Sequence, residues 1–376
     1  MIMKRTPVLL LTGYLGSGKT TLVNRILSNK KGIKFAVIVN DIGEVNIDAA
    51  LIEKDGVVGK KDESLVALQN GCICCTLKMD LVEQLRDIVK TGKFDYIVIE
   101  ASGICEPEPI ARTICSIPYL GEEYVTEGMA QLDCIVTVVD ALRMRDEFAC
   151  AKDLMRGGID EEDIESLVIQ QIEFCNVVLL NKASEISADE LGKIREIVRT
   201  LQPKARIIEC DWGEVALEEI LETGLFNYDS VAGSAAWISA VEEGASENEE
   251  EGEADEYGIG TFVYYAREPF DINKFDNLVA KRWPSGIIRT KGICYFTSNP
   301  DLSFLFEQAG TQISLKNIGQ WYATMPEDEL EEQLANDFAL RRDWDPDYGD
   351  RMQKLVFIGQ NLDKDLLKAE LDFCLA

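Results

Sequence analysis

The chain is 376 residues long, enough for two domains with a sizeable core. Its 38 Lys and Arg stand against 67 Asp and Glu, and a formal charge of −29 argues against nucleic acid or an anionic membrane as the main partner. There is no His, so the commonest metal ligand and the commonest general base are both missing, and any metal site must be built from Cys, Asp, Glu, backbone or water. No apolar run approaches a membrane span, and the N-terminus lacks a signal peptide's small-residue cleavage site, so a cytoplasmic protein is expected. The 11 Cys are an odd number, mostly in apolar runs such as Leu132-Asp133-Cys134-Ile135-Val136, which in a cytosolic chain are core thiols.

The first element is an apolar strand over 8–12. It runs into Gly13-Tyr14-Leu15-Gly16-Ser17-Gly18-Lys19-Thr20, which fits the phosphate-binding pattern G-x-x-x-x-G-K-[ST] at every fixed position. A helix over 19–29 follows. Strand, glycine loop and helix together converge backbone N–H groups and a helix N-terminus on a phosphate. Lys19 then reaches the β- and γ-phosphates, and the Thr20 hydroxyl sits on Mg²⁺. Further strands are predicted over 35–40, 96–100, 134–140, 177–181 and 206–209, and helices over 77–90, 163–174 and 188–201. The alternation predicts an α/β fold, a mostly parallel sheet with helices on both faces, whose ligands lie beyond the carboxyl ends of the strands.

The polar residues fall at those ends. The second strand finishes in Asn40-Asp41-Ile42-Gly43-Glu44, with Asp48 soon after, and Glu44 or Asp41 is the candidate for positioning the attacking water. Residues 49–70 read as an insertion in the place of a switch loop. The third strand ends in Glu100-Ala101-Ser102-Gly103, where the carboxylate holds Mg²⁺ through water and Gly103 presents its N–H to the γ-phosphate. Asp140 closes the fourth strand, either facing the same site or capping the next helix. The fifth ends in Asn181-Lys182-Ala183-Ser184, similar to the N-K-x-D motif that reads guanine but with a hydroxyl in the carboxylate's place. Reduced guanine preference, or substitution by Glu185, are the two consequences that follow.

Between the second and third strands lies Gly71-Cys72-Ile73-Cys74-Cys75. Three thiols within four residues form a soft-ligand set suited to Zn²⁺ or Cu⁺. A redox C-x-x-C and plain core cysteines are the competing readings. Glu44 and Asp48 are candidates for a fourth ligand.

Residues 227–258 are an acidic, apolar-poor linker. It divides a nucleotide domain, 1–226, from a smaller α+β domain, 259–376, with helices on one face of its sheet. In the second domain strands are predicted over 261–265, 287–296, 304–306, 312–315, 320–323 and 355–358, and helices over 271–282, 327–342 and 364–375. It shows no catalytic constellation.

Taken together, the glycine loop with Thr21, Asn40-Asp41-Ile42-Gly43-Glu44 with Ile47-Asp48, Gly71-Cys72-Ile73-Cys74-Cys75 and Glu100-Ala101-Ser102-Gly103 resemble the CobW-like GTPases, relatives of the nickel-insertion GTPases of hydrogenase and urease. Lys291-Gly292 and Leu355-Val356-Phe357-Ile358-Gly359 extend the resemblance to the C-terminal domain. It implies slow GTP hydrolysis linked to delivery of a metal, often zinc and sometimes cobalt, to a client metalloprotein. Carried onto this chain, the nucleotide is held by Gly13, Gly16, Ser17, Gly18, Lys19, Thr20, Thr21, Gly103, Asn181, Lys182 and Ser184. Catalysis falls to Lys19, Thr20, Glu44 and Glu100. Thr20 and Glu100 serve Mg²⁺, and Cys72, Cys74, Cys75 and Glu44 the cargo metal. The absence of His removes the His-rich linker of many members. Two rival functions share these residues: a nucleotide-dependent assembly factor for one metalloenzyme, such as a nitrile hydratase or corrinoid system, that carries no metal, and a small-molecule kinase.

Overall fold

Residues 4–28, 32–39, 65–67, 78–148, 162–228, 258–284, 286–310, 312–342 and 344–376 are described by a computed structural model. The chain divides into two compact units, each built around one sheet. In the first, the strands are β1 (Arg5–Thr12), β2 (Phe35–Val39), β3 (Leu65–Ala67), β4 (Tyr96–Glu100), β5 (Met129–Asp140), β6 (Val177–Asn181) and β7 (Arg206–Glu209). They pair in the order β3-β2-β4-β1-β5-β6-β7, every adjacent pair parallel. β2, β4 and β6 are buried at every position, which is why they read as unbroken Val/Ile/Leu runs. The order reverses about β1: the chain winds through β2, β3 and β4 on one side and through β5, β6 and β7 on the other. Such a switch point opens a crevice at the carboxyl ends of the strands.

The helices are α1 (Lys19–Leu27), α2 (Lys78–Thr91), α3 (Pro107–Ser116), α4 (Ala141–Phe148), α5 (Glu162–Glu173) and α6 (Ala188–Leu201). α1 buries Leu22, Val23 and Ile26 in one core cluster with Leu9, Leu11, Val37, Val98 and Val136. α6 is fixed at its start by a reciprocal cap: Ser187 Oγ accepts from Glu190 N at 3.3 Å, and the Glu190 carboxylate accepts from Ser187 N at 2.9 Å. A cap of this kind contributes about 1 kcal/mol.

Several predicted boundaries move. β5 starts at Met129, ahead of the predicted Cys134, because Ala130 and Leu132 are already buried beside β1. α3 and α4 lie in stretches that the sequence reading left without an element. α3 opens on Pro107 with Pro109 in its first turn, where a missing N–H costs nothing, so prolines that look like breakers mark a start.

The second unit carries β8 (Ile259–Ala266), β9 (Ile287–Phe296), β10 (Asn299–Ala309), β11 (Gln312–Gln320) and β12 (Gln353–Gln360), in the antiparallel order β11-β10-β9-β12-β8. Its helices are α7 (Ile272–Lys281), α8 (Glu327–Asn336), α9 (Phe338–Arg342) and α10 (Lys364–Cys374). Phe275 and Leu278 of α7 and Leu367 and Leu371 of α10 share a core with Tyr264, Cys294, Phe296, Phe306, Leu355 and Phe357, which alternate onto one face of the sheet as expected. Arg289, Lys291 and Glu307 alternate onto the other. Residues 320–323 are not a strand: β11 ends at Gln320, and Tyr322–Thr324 form a 3₁₀ turn whose N–H groups at Tyr322 and Ala323 donate to the Asp350 carboxylate at 2.8 and 2.9 Å. Nor is 327–342 one helix. Asp337 is extended and caps α9, its carboxylate accepting from Leu340 N at 3.0 Å. Among the described residues no helix is long and apolar enough to cross a membrane.

Candidate nucleotide site

β1 delivers the glycine loop at the switch point, and α1 starts directly from it. Gly18 holds φ 108 at the helix N-cap, a conformation that opens the first turn of N–H groups toward a ligand. Lys19 is only 7% exposed, and its ammonium donates to Gly13 O at 2.8 Å and Tyr14 O at 3.1 Å. Phosphoryl oxygens are stronger acceptors for an ammonium than neutral carbonyls, so this group is poised for a triphosphate. Ser17 is buried and Thr21 is exposed on the first turn of α1. Gly16 lies at the exposed tip of the loop.

β4 brings Glu100 to the same place. Its carboxylate is 1% exposed, and Thr20 Oγ donates to Glu100 Oε1 at 3.0 Å. A hydroxyl beside a carboxylate, both at the mouth of a phosphate loop, is a hard oxygen pair that fits Mg²⁺. Gly103 lies just beyond, so close to the loop that a Cβ there would stand 2.7 Å from Leu15 N.

On the other side of β1 the ends of β5, β6 and β7 meet. Asn181 Nδ2 donates to Ser17 O at 2.8 Å, and its Oδ1 accepts from Gly213 N at 3.0 Å, so one buried amide ties the phosphate loop to the turn after β7. Lys182 takes a left-handed φ of 61 and places its ammonium on the Asp140 carboxylate. Asp140 fills both roles that the sequence left open: Oδ2 pairs with Lys182 next to the site, and Oδ1 caps α4 by accepting from Arg143 N at 3.1 Å. The Arg143 guanidinium in turn lies 4.2 Å above the ring of Tyr14 in the glycine loop. Ser184 is not alone. Its N–H and hydroxyl both donate to Asp211 Oδ1, at 3.1 and 2.9 Å. Asp211 was not among the predicted site residues; the signal available was an acidic side chain just past the carboxyl end of the last parallel strand.

Asn40, Asp41, Glu44, Asp48, Cys72, Cys74 and Cys75 lie outside the described residues. Among the described residues no group of three His, Cys, Asp or Glu could hold a metal ion. The seven described cysteines are free thiols, and six of them are buried. Burial pushes Cys134 and Cys294 up to about 12 and Cys210 and Cys374 up to about 11, so these thiols stay protonated at neutral pH.

A parallel sheet with a glycine loop at its switch point, a buried Lys in the first turn of the following helix and a Thr–Glu pair beside it define a P-loop nucleotide hydrolase. Residues 7–209 match the CobW/HypB/UreG nucleotide-binding domain, and residues 259–375 match the cobalamin synthesis protein CobW C-terminal domain. The chain belongs to the CobW/HypB/UreG family of P-loop GTPases. It is 36% identical to a zinc-regulated GTPase metalloprotein activator 1 of Dictyostelium discoideum, over 99% of this chain and 80% of that one. It is 25% identical to the zinc chaperone YjiA of Escherichia coli, over 96% of each chain. The crystal structure of Zn(II)-bound YjiA GTPase from Escherichia coli aligns over 100% of both chains at 22% identity with a TM-score of 0.42.

Proposed function

We propose that this GTPase is a cytoplasmic metallochaperone that carries zinc as cargo on Cys72, Cys74 and Cys75, with Glu44 or Asp48 completing the set, and passes it to a client metalloprotein as GTP is turned over. The names of its relatives support zinc, and with no His in the chain the nitrogen ligand zinc commonly takes is missing, which leaves Cys thiolates and carboxylates as its zinc ligands. The observation that carries the reading is the state of the described cysteines. They are free and six of the seven are buried, and none belongs to a group of three His, Cys, Asp or Glu among the described residues that could hold a metal, so the reading places the cargo on the Cys72-Ile73-Cys74-Cys75 run.

In the hydrolytic step the N–H groups of the loop and α1 hold the β- and γ-phosphates, and Lys19 neutralises charge as it moves toward the leaving oxygen. Thr20 and Glu100 would hold Mg²⁺, which would supply charge neutralisation for the phosphates. Glu44 or Asp41 would orient the attacking water. Gly103 N–H would bond the γ-phosphate and lose that partner on hydrolysis. β2 and β4 are neighbours in the sheet, and the cysteine run lies in the chain between them, the stretch whose response to the γ-phosphate this reading requires.

The test is a zinc titration against a chromophoric chelator with a GTP analogue, with GDP and with neither. About one tight zinc per chain is expected, lost when the three cysteines become Ser, with an affinity that differs ~5–150-fold between nucleotide states. Equal zinc affinity in all three states would refute delivery driven by hydrolysis. No tight zinc in any state would favour the assembly factor that carries no metal.

A further inference from the structure

A loop that distinguishes guanine from adenine needs an acceptor for guanine's N1–H and N2–H₂, and Ser184 provides only a hydroxyl where such a loop usually ends. The neighbouring strand supplies the missing carboxylate. We infer that Asp211 is the residue that reads the guanine base of GTP, and that Ser184 is its positioning residue: the acceptor has moved from the end of β6 to the end of β7.

Six hydrogen bonds fix Asp211 at this place. Cys210 N donates to Leu180 O at 2.9 Å, and Ala183 N donates to Cys210 O at 3.2 Å, so the residue before Asp211 is tied to the base loop on both sides. Gly213 N donates to Asn181 Oδ1 at 3.0 Å, tying the turn after it to the same loop. Asn181 itself donates to Ser17 O at 2.8 Å, so the assembly is registered on the phosphate loop. The last two come from Ser184, whose N–H and hydroxyl both donate to Asp211 Oδ1 at 3.1 and 2.9 Å. An ionised carboxylate offers about four lone-pair positions. Ser184 uses two of them, both on Oδ1, and among the described residues neither a hydrogen-bond donor nor a cation is placed on Oδ2. Oδ2 is therefore left to accept from the donor edge that guanine presents at N1–H and N2–H₂. Adenine presents a bare ring nitrogen at N1, which a carboxylate repels. Glu185, the substitute that the sequence offered, is exposed, and the carboxylate on Ser184 is that of Asp211. Lys182, turned to a left-handed φ and anchored on Asp140, holds its aliphatic stem beside the same loop, where it can cover a base face.

This changes what substitution at Ser184 should do. Ser184→Asp looks from the sequence like restoration of the missing acceptor and an increase in GTP selectivity. In the structure it places a second carboxylate against the first, and like charges at hydrogen-bond distance repel, so no gain in GTP selectivity is expected.

The inference rests on the GTPase chemistry and not on metal carriage, so the test is run without zinc. Mg²⁺ complexes of GTP, ITP, XTP and ATP are titrated calorimetrically into the wild-type protein and into Asp211→Asn, a change that keeps side-chain shape and fold. The wild type should prefer GTP to ITP, which lacks the N2 amino group, and to ATP. Asp211→Asn should lose GTP affinity by ~10²-fold or more and gain XTP, because the amide N–H₂ now donates to the 2-oxo group of xanthine. Inversion of the GTP/XTP preference is a readout that a merely structural role cannot produce. An Asp211→Asn variant that weakens all four nucleotides alike, or leaves the GTP/ITP ratio unchanged, overturns the assignment. So does a rise in GTP over ATP selectivity in Ser184→Asp.

Discussion

Gly103→Ala tests how tightly the third strand's end is coupled to the phosphate loop. Gly103 has an ordinary backbone conformation, so alanine meets no torsional penalty there; what it meets is space already filled. A Cβ would stand 2.7 Å from Leu15 N, 2.8 Å from Leu15 Cδ2 and 2.9 Å from Leu15 Cγ. The leucine side chain, 53% exposed, can swing away, but the backbone nitrogen cannot without moving the loop. Behind Gly103, Gln171 Nε2 donates to Gly103 O at 3.4 Å and to Cys105 O at 3.1 Å, and Ala101 N donates to Leu11 O at 2.9 Å, so the strand end has little room to retreat. Overpacking of this kind costs about 1–3 kcal/mol. If the loop relieves it by shifting off its phosphate-binding position, GTP binding has to restore that position and its Kd should rise ~5–150-fold.

The assay pairs GTP affinity with a denaturation curve for Gly103→Ala and for Gly260→Ala, a control glycine of the second sheet where a Cβ meets nothing within 4 Å. The control should leave both readouts unchanged. Loss of GTP affinity in Gly103→Ala, with the unfolding transition lowered by no more than the packing cost, is the expected result. Wild-type GTP binding in Gly103→Ala would refute the argument that Gly103 and Leu15 form a rigid contact.

Two further predictions rest on single contacts. Lys19→Ala should reduce GTP hydrolysis by at least ~10²-fold while the unit still unfolds cooperatively, because the charge aimed at the phosphates is lost while the hydrogen bonds given up lie in the loop, to Gly13 O and Tyr14 O among them; steady-state phosphate release checks it, and turnover near the wild-type rate would contradict the role given to Lys19. For Glu307, burial alone would raise the carboxyl pKa, but Lys291 at 2.8 Å, with Arg289 and Lys316, outweighs it and holds the pKa below the usual carboxylate value. Its stabilisation is therefore present above the unfolded pKa of about 4.3 and lost as pH falls through the depressed folded value. Glu307→Gln should lower stability by about 2 kcal/mol at pH 7, and its gap to wild type should narrow only below about pH 4 in denaturant titrations; a gap independent of pH would assign the loss to packing.

The sequence exposed six of the first unit's strands and the phosphate loop because a strand buried on both faces must be apolar throughout, as β2, β4 and β6 are, whereas the three-residue β3 fell inside the stretch read as an insertion. The gathering of Lys19, Thr20 and Glu100 at one strand edge was legible for a related reason: each stands at a fixed local spacing after a strand. Asp211 was not, because its meaning depends on Ser184, 27 residues away in sequence and joined to it only when β6 and β7 pair. α3 was hidden by prolines, which stop a helix internally but suit its first turn. The break at Asp337 was hidden because an acidic residue in an acidic helical stretch reads as one more solvated position until its carboxylate is seen to cap α9. In the second unit, β11 was underestimated because it is a largely exposed edge strand with no buried period to betray its length.

The order of strands also determines how the two functions of this site separate. β1 carries the phosphate loop between β4 and β5, and the chain reverses its winding there. On one side, the end of β4 supplies Glu100 and Gly103, and the chain that leaves β2 runs on into the stretch that carries the cysteines. On the other, the ends of β5, β6 and β7 supply Asp140, Asn181, Lys182 and Asp211. The glycine loop touches both: Leu15 lies within contact of Gly103, and Ser17 O is held by Asn181. A substitution at Asp211 should accordingly change which base is accepted and leave the response to the γ-phosphate intact. One at Gly103 should do the reverse. A substitution at Gly18 should disturb both, because its φ of 108 opens the phosphate-binding turn and a Cβ there would stand 2.3 Å from Asn181 Nδ2, the amide that fastens the base side to the phosphate side.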